Sequence, residues 1–131
     1  MRFEVEGKAP VDAPRESAIR CGIRSLRSNG PSSFASLTDV DGNYVQVGGG
    51  GVTCIVERYF AANKERLRAF HDRPSPVRPD GTLLVFRGGQ IAMKSDEWFM
   101  ASQVEEVFVR FLTGADFPSY LSWRPAPGFD H

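Results

Sequence analysis

The sequence is short of the residues that most often carry chemistry. It has two cysteines and two histidines in 131 residues, and 16 acidic side chains cancel its 16 basic ones. Cys21, Cys54, His71 and His131 are isolated from one another in sequence, whereas a zinc site gathers three or four ligands. Neither a metal nor a cofactor is expected. Zero net charge takes weight from general nucleic-acid binding, which relies on a basic surface. No run approaches the roughly 20 apolar residues that span a bilayer. Met1-Arg2-Phe3-Glu4-Val5-Glu6 lacks the basic start and apolar stretch of a secretory signal. The expectation is a cytoplasmic protein with no membrane contact. The two cysteines, in apolar contexts on separate elements, read as small buried hydrophobes, and a reducing compartment argues against a disulfide.

What is present describes an ordinary globular chain. The apolar fraction is 41% and the charged fraction 24%, near globular averages. Its length fits one domain, residues 1–131, which buries roughly two thirds of its unfolded surface. Charge is unevenly spread: Ser95 to His131 holds two basic and six acidic residues. Such runs are usually solvated faces, and an acidic one also suits a basic partner.

Periodicity divides the chain into helix, strands and helix. Met1 to Glu6 alternates weakly, as an edge strand would. Pro14 to Ser28 reads as a helix with Ala18, Ile19, Ile23 and Leu26 on one face and a neighbouring stripe of Arg20, Arg24 and Arg27. Asn29-Gly30-Pro31 stops it. Ser33 to Val40 and Asn43 to Val47 are strands around the Asp41-Gly42 hairpin signal. Gly48 to Gly51 reads as a flexible connection, or as a place where a partner's backbone comes close. Val52 to Phe60 is the strongest strand. Asn63-Lys64 turns the chain, and residues 64–71 fit a strand or a short helix equally well. Thr82 to Phe86 and Gln90 to Lys94 flank Arg87-Gly88-Gly89 as a second hairpin. Ser102 opens the last helix with Glu105 at capping-box spacing. Val104, Val107, Phe108, Phe111 and Leu112 form its apolar stripe, Glu106 and Arg110 a helical ion pair, and Gly114 its end. The tail from Pro118 reads as an irregular extended segment. The fold class is α+β: a two-layer arrangement of a mostly antiparallel sheet of about five or six strands, with an N-terminal and a C-terminal helix on one face.

Each candidate chemistry fails on a specific residue. Asp39-Val40-Asp41-Gly42-Asn43 begins like a calcium loop, but Tyr44 stands where the loop needs glycine and Gly50 where it needs glutamate. Gly48 to Gly51 lacks the lysine and hydroxyl of a phosphate loop and opens a strand, not a helix. A Cys54–His71 nucleophilic pair is countered by a thiol set among aliphatics. Ser25, Ser36 and Ser102 lie in no nucleophile elbow. Glu57 and Arg58, adjacent on the central strand, point to opposite faces, so one charge is expected to be buried in a structural ion pair. Lys64, Arg66, Arg68, Arg73 and Arg78 lie near Phe60, Phe70 and His71, as in a single-strand binder, but Glu65 and Asp72 interrupt them.

The run Leu37-Thr38-Asp39-Val40-Asp41-Gly42-Asn43-Tyr44-Val45-Gln46-Val47-Gly48-Gly49, followed by Cys54-Ile55-Val56-Glu57-Arg58, resembles a pattern of small bacterial immunity proteins, which are encoded beside polymorphic or contact-dependent toxins. Glu105-Glu106-Val107-Phe108 through Phe111-Leu112-Thr113-Gly114 to Pro118 and Trp123-Arg124 is similar to their closing helix and tail. The resemblance covers Ser33 to Arg124. It implies a non-enzymatic protein that occludes a cognate toxin's active site in a tight complex. Under that reading the acidic residues Asp39, Asp41, Asp96, Glu97, Asp116 and Asp130 face a basic cleft. Tyr44, Trp98, Tyr120 and Trp123 are the candidate aromatic anchors. Two other readings stand beside it: a small-ligand-binding or enzymatic domain using the open sheet face, and an adaptor in a larger assembly.

Overall fold

The computed structural model describes residues 1–28, 30–74, 79–86 and 89–127. The elements in chain order are β1 (Arg2–Val5), β2 (Val11–Asp12), α1 (Glu16–Arg24), β3 (Phe34–Thr38), β4 (Tyr44–Gly50), β5 (Thr53–Phe60), β6 (Glu65–Phe70), β7 (Thr82–Phe86), β8 (Gly89–Met93), α2 (Ala101–Thr113) and β9 (Ser122–Pro125). Seven strands form one antiparallel sheet in the order β2-β1-β3-β4-β5-β6-β9, and β7 with β8 forms a separate two-stranded sheet. The sheet is larger than the five or six strands expected. The hairpin is not part of it, and the tail, expected to be irregular, adds a strand.

Alternation along the strands decides what each face buries. Phe3, Val5, Ala35, Leu37, Val45, Val47, Cys54, Val56 and Ala69 share one buried cluster with Ile19 and Ile23 of α1 and Val104, Val107 and Phe108 of α2. Residues at the opposite strand positions do not join that cluster. There, Ile55 of β5 packs with Leu84, Ile91 and Met93 of the hairpin, and Trp98 lies against them.

α1 ends four residues before the expected Ser28. Ser25 caps it through Oγ to the Gly22 carbonyl at 2.7 Å, and the chain turns at Leu26–Arg27 to run against β4. A Cβ on Gly50 would collide with the Leu26 carbonyl group and the Arg27 nitrogen. The glycine run is therefore mostly strand, and the backbone it admits is the chain's own. α2 begins without the expected capping box. Gln103 Oε1 accepts the Met100 N–H at 2.9 Å, and Glu105 turns inward to Arg20 and Arg24 of α1. Glu106 likewise pairs with Arg20 at 2.9 Å, and Arg110 donates to the Asp116 carbonyl instead of meeting Glu106. The carboxylates expected to serve α2 itself thus fasten it to α1. Gly114 ends α2 at φ 72°, a left-handed conformation that costs glycine least.

Candidate functional site

The site is the sheet face whose residues stay outside the main buried cluster. Register places Arg2, Thr38, Tyr44, Tyr59 and Arg66 in one row across five strands, and Glu4, Ser36, Gln46, Glu57, Arg68 and Arg124 in the next. The hairpin covers the end of this face around Ile55. The first row is half-exposed or exposed, polar and aromatic. At its centre the Tyr44 and Tyr59 rings stack with centroids 4.9 Å apart and planes 18° apart. Cross-strand aromatic pairs of this kind fix both rings without immobilising a flexible side chain. Burial pushes the Tyr44 phenol above its ordinary range, so the hydroxyl keeps its proton and can donate.

The second row holds a buried cluster of charges. Glu57 is 2% exposed, and its carboxylate takes the Gln46 amide at 2.9 Å, the Arg68 guanidinium at 3.0 Å and Arg66 at 3.5 Å. Arg68, also buried, reaches Glu97 at 3.5 Å and the Ala92 carbonyl of the hairpin at 3.3 Å. Glu97 closes its own turn by accepting the Lys94 N–H at 2.7 Å. Arg124 pairs with Asp96 at 2.6 Å and lies 3.9 Å from the Phe70 ring centroid. This set ties β4, β5, β6, β9, the hairpin and the turn before α2 together. Three carboxylates (Glu57, Asp96 and Glu97) face three guanidiniums (Arg66, Arg68 and Arg124), a balance that meets the need of buried charge for partners. The ion pair expected of Glu57 is here, with Arg68 as its partner.

His71 and Cys54 have structural surroundings. His71 Nδ1 accepts the Arg73 N–H at 3.0 Å, so Nε2 carries the proton it gives to the Trp98 carbonyl at 2.9 Å. Both ring nitrogens are thereby occupied. Cys54 exchanges two 2.8 Å backbone hydrogen bonds with Phe99. Burial pushes its thiol up to about 12, far from the thiolate that a nucleophile needs. Among the described residues no group of three or more His, Cys, Asp or Glu is arranged to hold a metal ion.

The partner residues named from sequence divide by location. Asp39 is bound into the β3–β4 turn: Oδ1 accepts the Asp41 and Asn43 N–H groups and Oδ2 the Asn43 amide. The turn that resembled a calcium loop is thus closed by its own backbone. Asp41 is exposed beside it, and Tyr44 opens the strand that follows. Asp96 and Glu97 are committed to Arg124 and Arg68. Glu97 is buried, which corrects the expectation that it faces a partner, because the interior arginines draw it in. Trp98 packs against the second cluster. Asp116 is exposed beyond α2. Trp123 meets Phe117 edge-on at 5.2 Å beside the main core. Tyr120 donates its hydroxyl to the Gln103 carbonyl at 2.8 Å, pinning the tail to α2. Asp130, His131, Arg78 and the Arg87-Gly88 part of the hairpin turn lie outside the described residues. Tyr59 and Arg66 complete the exposed row; Tyr59 was missed, and Arg66 was read only as part of an interrupted basic run. Strand alternation from Tyr44 and the turn at Asn63-Lys64 would have placed them, had residues 64–71 been fixed as a strand.

Comparison of the chain with protein-family models, with curated proteins and with solved structures gives no match.

Proposed function

We propose that this chain is a protein-binding module whose interface is the open part of the sheet face, and that its partner is a cognate bacterial toxin. It neutralises the toxin in the cytoplasm by occluding the active site. The observation that carries the reading is the stacked Tyr44–Tyr59 pair, held on two central strands in the row next to the Glu57–Arg68 pair. Rigid aromatic side chains in a fixed frame lose little entropy on binding, which is what makes them effective anchors. Asp41, presented by the Asp39-bound turn next to Tyr44, adds an exposed negative charge suited to a basic cleft. In this reading α1 and α2 form one layer behind the sheet and leave the Tyr44 face to the partner. The resemblance to immunity proteins supports the choice of a toxin. The free cysteines suit a reducing compartment, though only Cys54 is the buried hydrophobe expected of both, Cys21 being exposed on α1.

Co-expression with the toxin encoded beside the chain tests the reading. Restored growth and a co-purifying complex are expected. Absence of both would remove the toxin as partner.

A further inference from the structure

Arg58 follows Glu57 in β5 and points to the helix-bearing face. Its guanidinium carbon lies 4.2 Å from the Phe60 ring centroid, 4.7 Å from Phe117 and 5.3 Å from Trp123. The three rings come from β5, from the segment after α2 and from β9. Among the described residues, the other half-buried or buried arginines are treated differently: Arg20, Arg66, Arg68 and Arg124 reach carboxylates, and Arg110 reaches a backbone carbonyl. Arg58 has its rings, with no hydrogen bond or ion pair among the described residues. Asp116, next in the chain to Phe117, is exposed and does not pair with it. Burial holds the Arg58 guanidinium below its ordinary pKa, the mark of a cation partly stripped of water. Its nitrogens are nonetheless not sealed from solvent.

Ring faces attract the charge but accept none of the five N–H donors. They also fix the guanidinium in place, so the donor edge is presented already ordered. A fixed fork of this kind matches the two oxygens of a carboxylate. We propose that Arg58, framed by Phe60, Phe117 and Trp123, is a receptor for a carboxylate group brought by a ligand. The site lies on the face opposite Tyr44 and stands independently of the toxin reading. Two sources share this chemistry: an aspartate or glutamate side chain of a partner protein, and a free small carboxylic acid.

The test is an NMR titration of the full 15N-labelled chain at constant ionic strength. Sodium acetate, a blocked glycyl-glutamyl-glycine peptide, inorganic phosphate and sodium chloride are the probes, and the Arg58 Nε–H and Trp123 indole N–H are the signals. Acetate and the peptide are expected to give saturable shifts of both signals that chloride does not give. Tighter binding of the peptide assigns the site to a protein side chain, and tighter binding of acetate assigns it to a free acid. Arg58→Lys, checked for its fold by circular dichroism, should lose the Trp123 shift. An Arg58 signal that responds to acetate no differently from chloride would overturn the proposal in the wild-type chain alone. So would a response to phosphate without one to acetate.

Discussion

The Arg68 guanidinium meets the Glu57 carboxylate at 3.0 Å with both side chains 2% exposed. The same guanidinium touches Glu97 and the Ala92 carbonyl, so one cation joins the sheet to the hairpin and to the turn before α2. Attraction in a buried pair roughly offsets the cost of desolvating it, but removing one member strands the other. Arg68→Met leaves Glu57 and Glu97 buried beside less positive charge. It is expected to lower unfolding free energy by about 3–5 kcal/mol, read from the urea midpoint at neutral pH.

Glu105 is a milder case. It is 5% exposed, but its partners Arg20 and Arg24 are 26% and 66% exposed, and water replaces part of what they lose. Glu105→Ala should cost about 1–3 kcal/mol. Glu105→Gln should recover part of that loss, since it still accepts hydrogen bonds.

Gly50→Ala tests the close approach of β4 to the Leu26–Arg27 turn. The added methyl meets backbone, which cannot rotate away. A loss of about 1–3 kcal/mol is expected, whereas Gly51→Ala, with open space around its Cβ but φ 68°, should cost only the smaller strain of a left-handed alanine.

The cysteines should separate by reactivity. With native protein at mildly alkaline pH, a thiol reagent should modify exposed Cys21 and leave Cys54, whose thiol burial pushes up to about 12, untouched until the chain unfolds. Rapid modification of both in folded protein would contradict the buried setting of Cys54.

Asp80 supplies a pH dependence of known sign. The Ser95 N–H donates to its carboxylate at 2.8 Å and holds its pKa below the ordinary value. A carboxyl depressed in the folded state stabilises above its unfolded pKa, about 3.9, and loses that contribution as pH falls through the folded value. Asp80→Asn should flatten this part of the acid limb, measured as the melting temperature against pH in parallel with wild type.

Much of the fold was legible because local signals agreed with it. The α2 stripe, Ile19 and Ile23 of α1, the Asp41-Gly42 turn and the β-forming run of β5 lie where their periodicities place them, while Leu26 reaches the core from beyond the end of α1. The misplaced features depend on contacts distant in sequence. Glu105 satisfies a local capping rule on paper but is claimed by arginines more than 80 residues away. The glycines after Val47 look like a loop until Leu26 is brought against them. Residues 64–71 carry alternating charges that suit either period, and only pairing with β5 and β9 makes them a strand. The site suffered most from this ambiguity. Tyr44 was named, but Tyr59 and Arg66 become its neighbours only once β5 and β6 are in register.

The most direct test of the proposed interface is the affinity of the purified chain for its cognate toxin, compared between wild type, Tyr59→Ala and Ser102→Ala, a variant on the exposed side of α2. Loss of a central aromatic anchor is expected to weaken binding by about 2 kcal/mol or more, roughly thirty-fold, while Ser102→Ala leaves affinity unchanged and both variants stay folded. Equal affinity of Tyr59→Ala and wild type would contradict the assignment of the Tyr44–Tyr59 face as the binding surface.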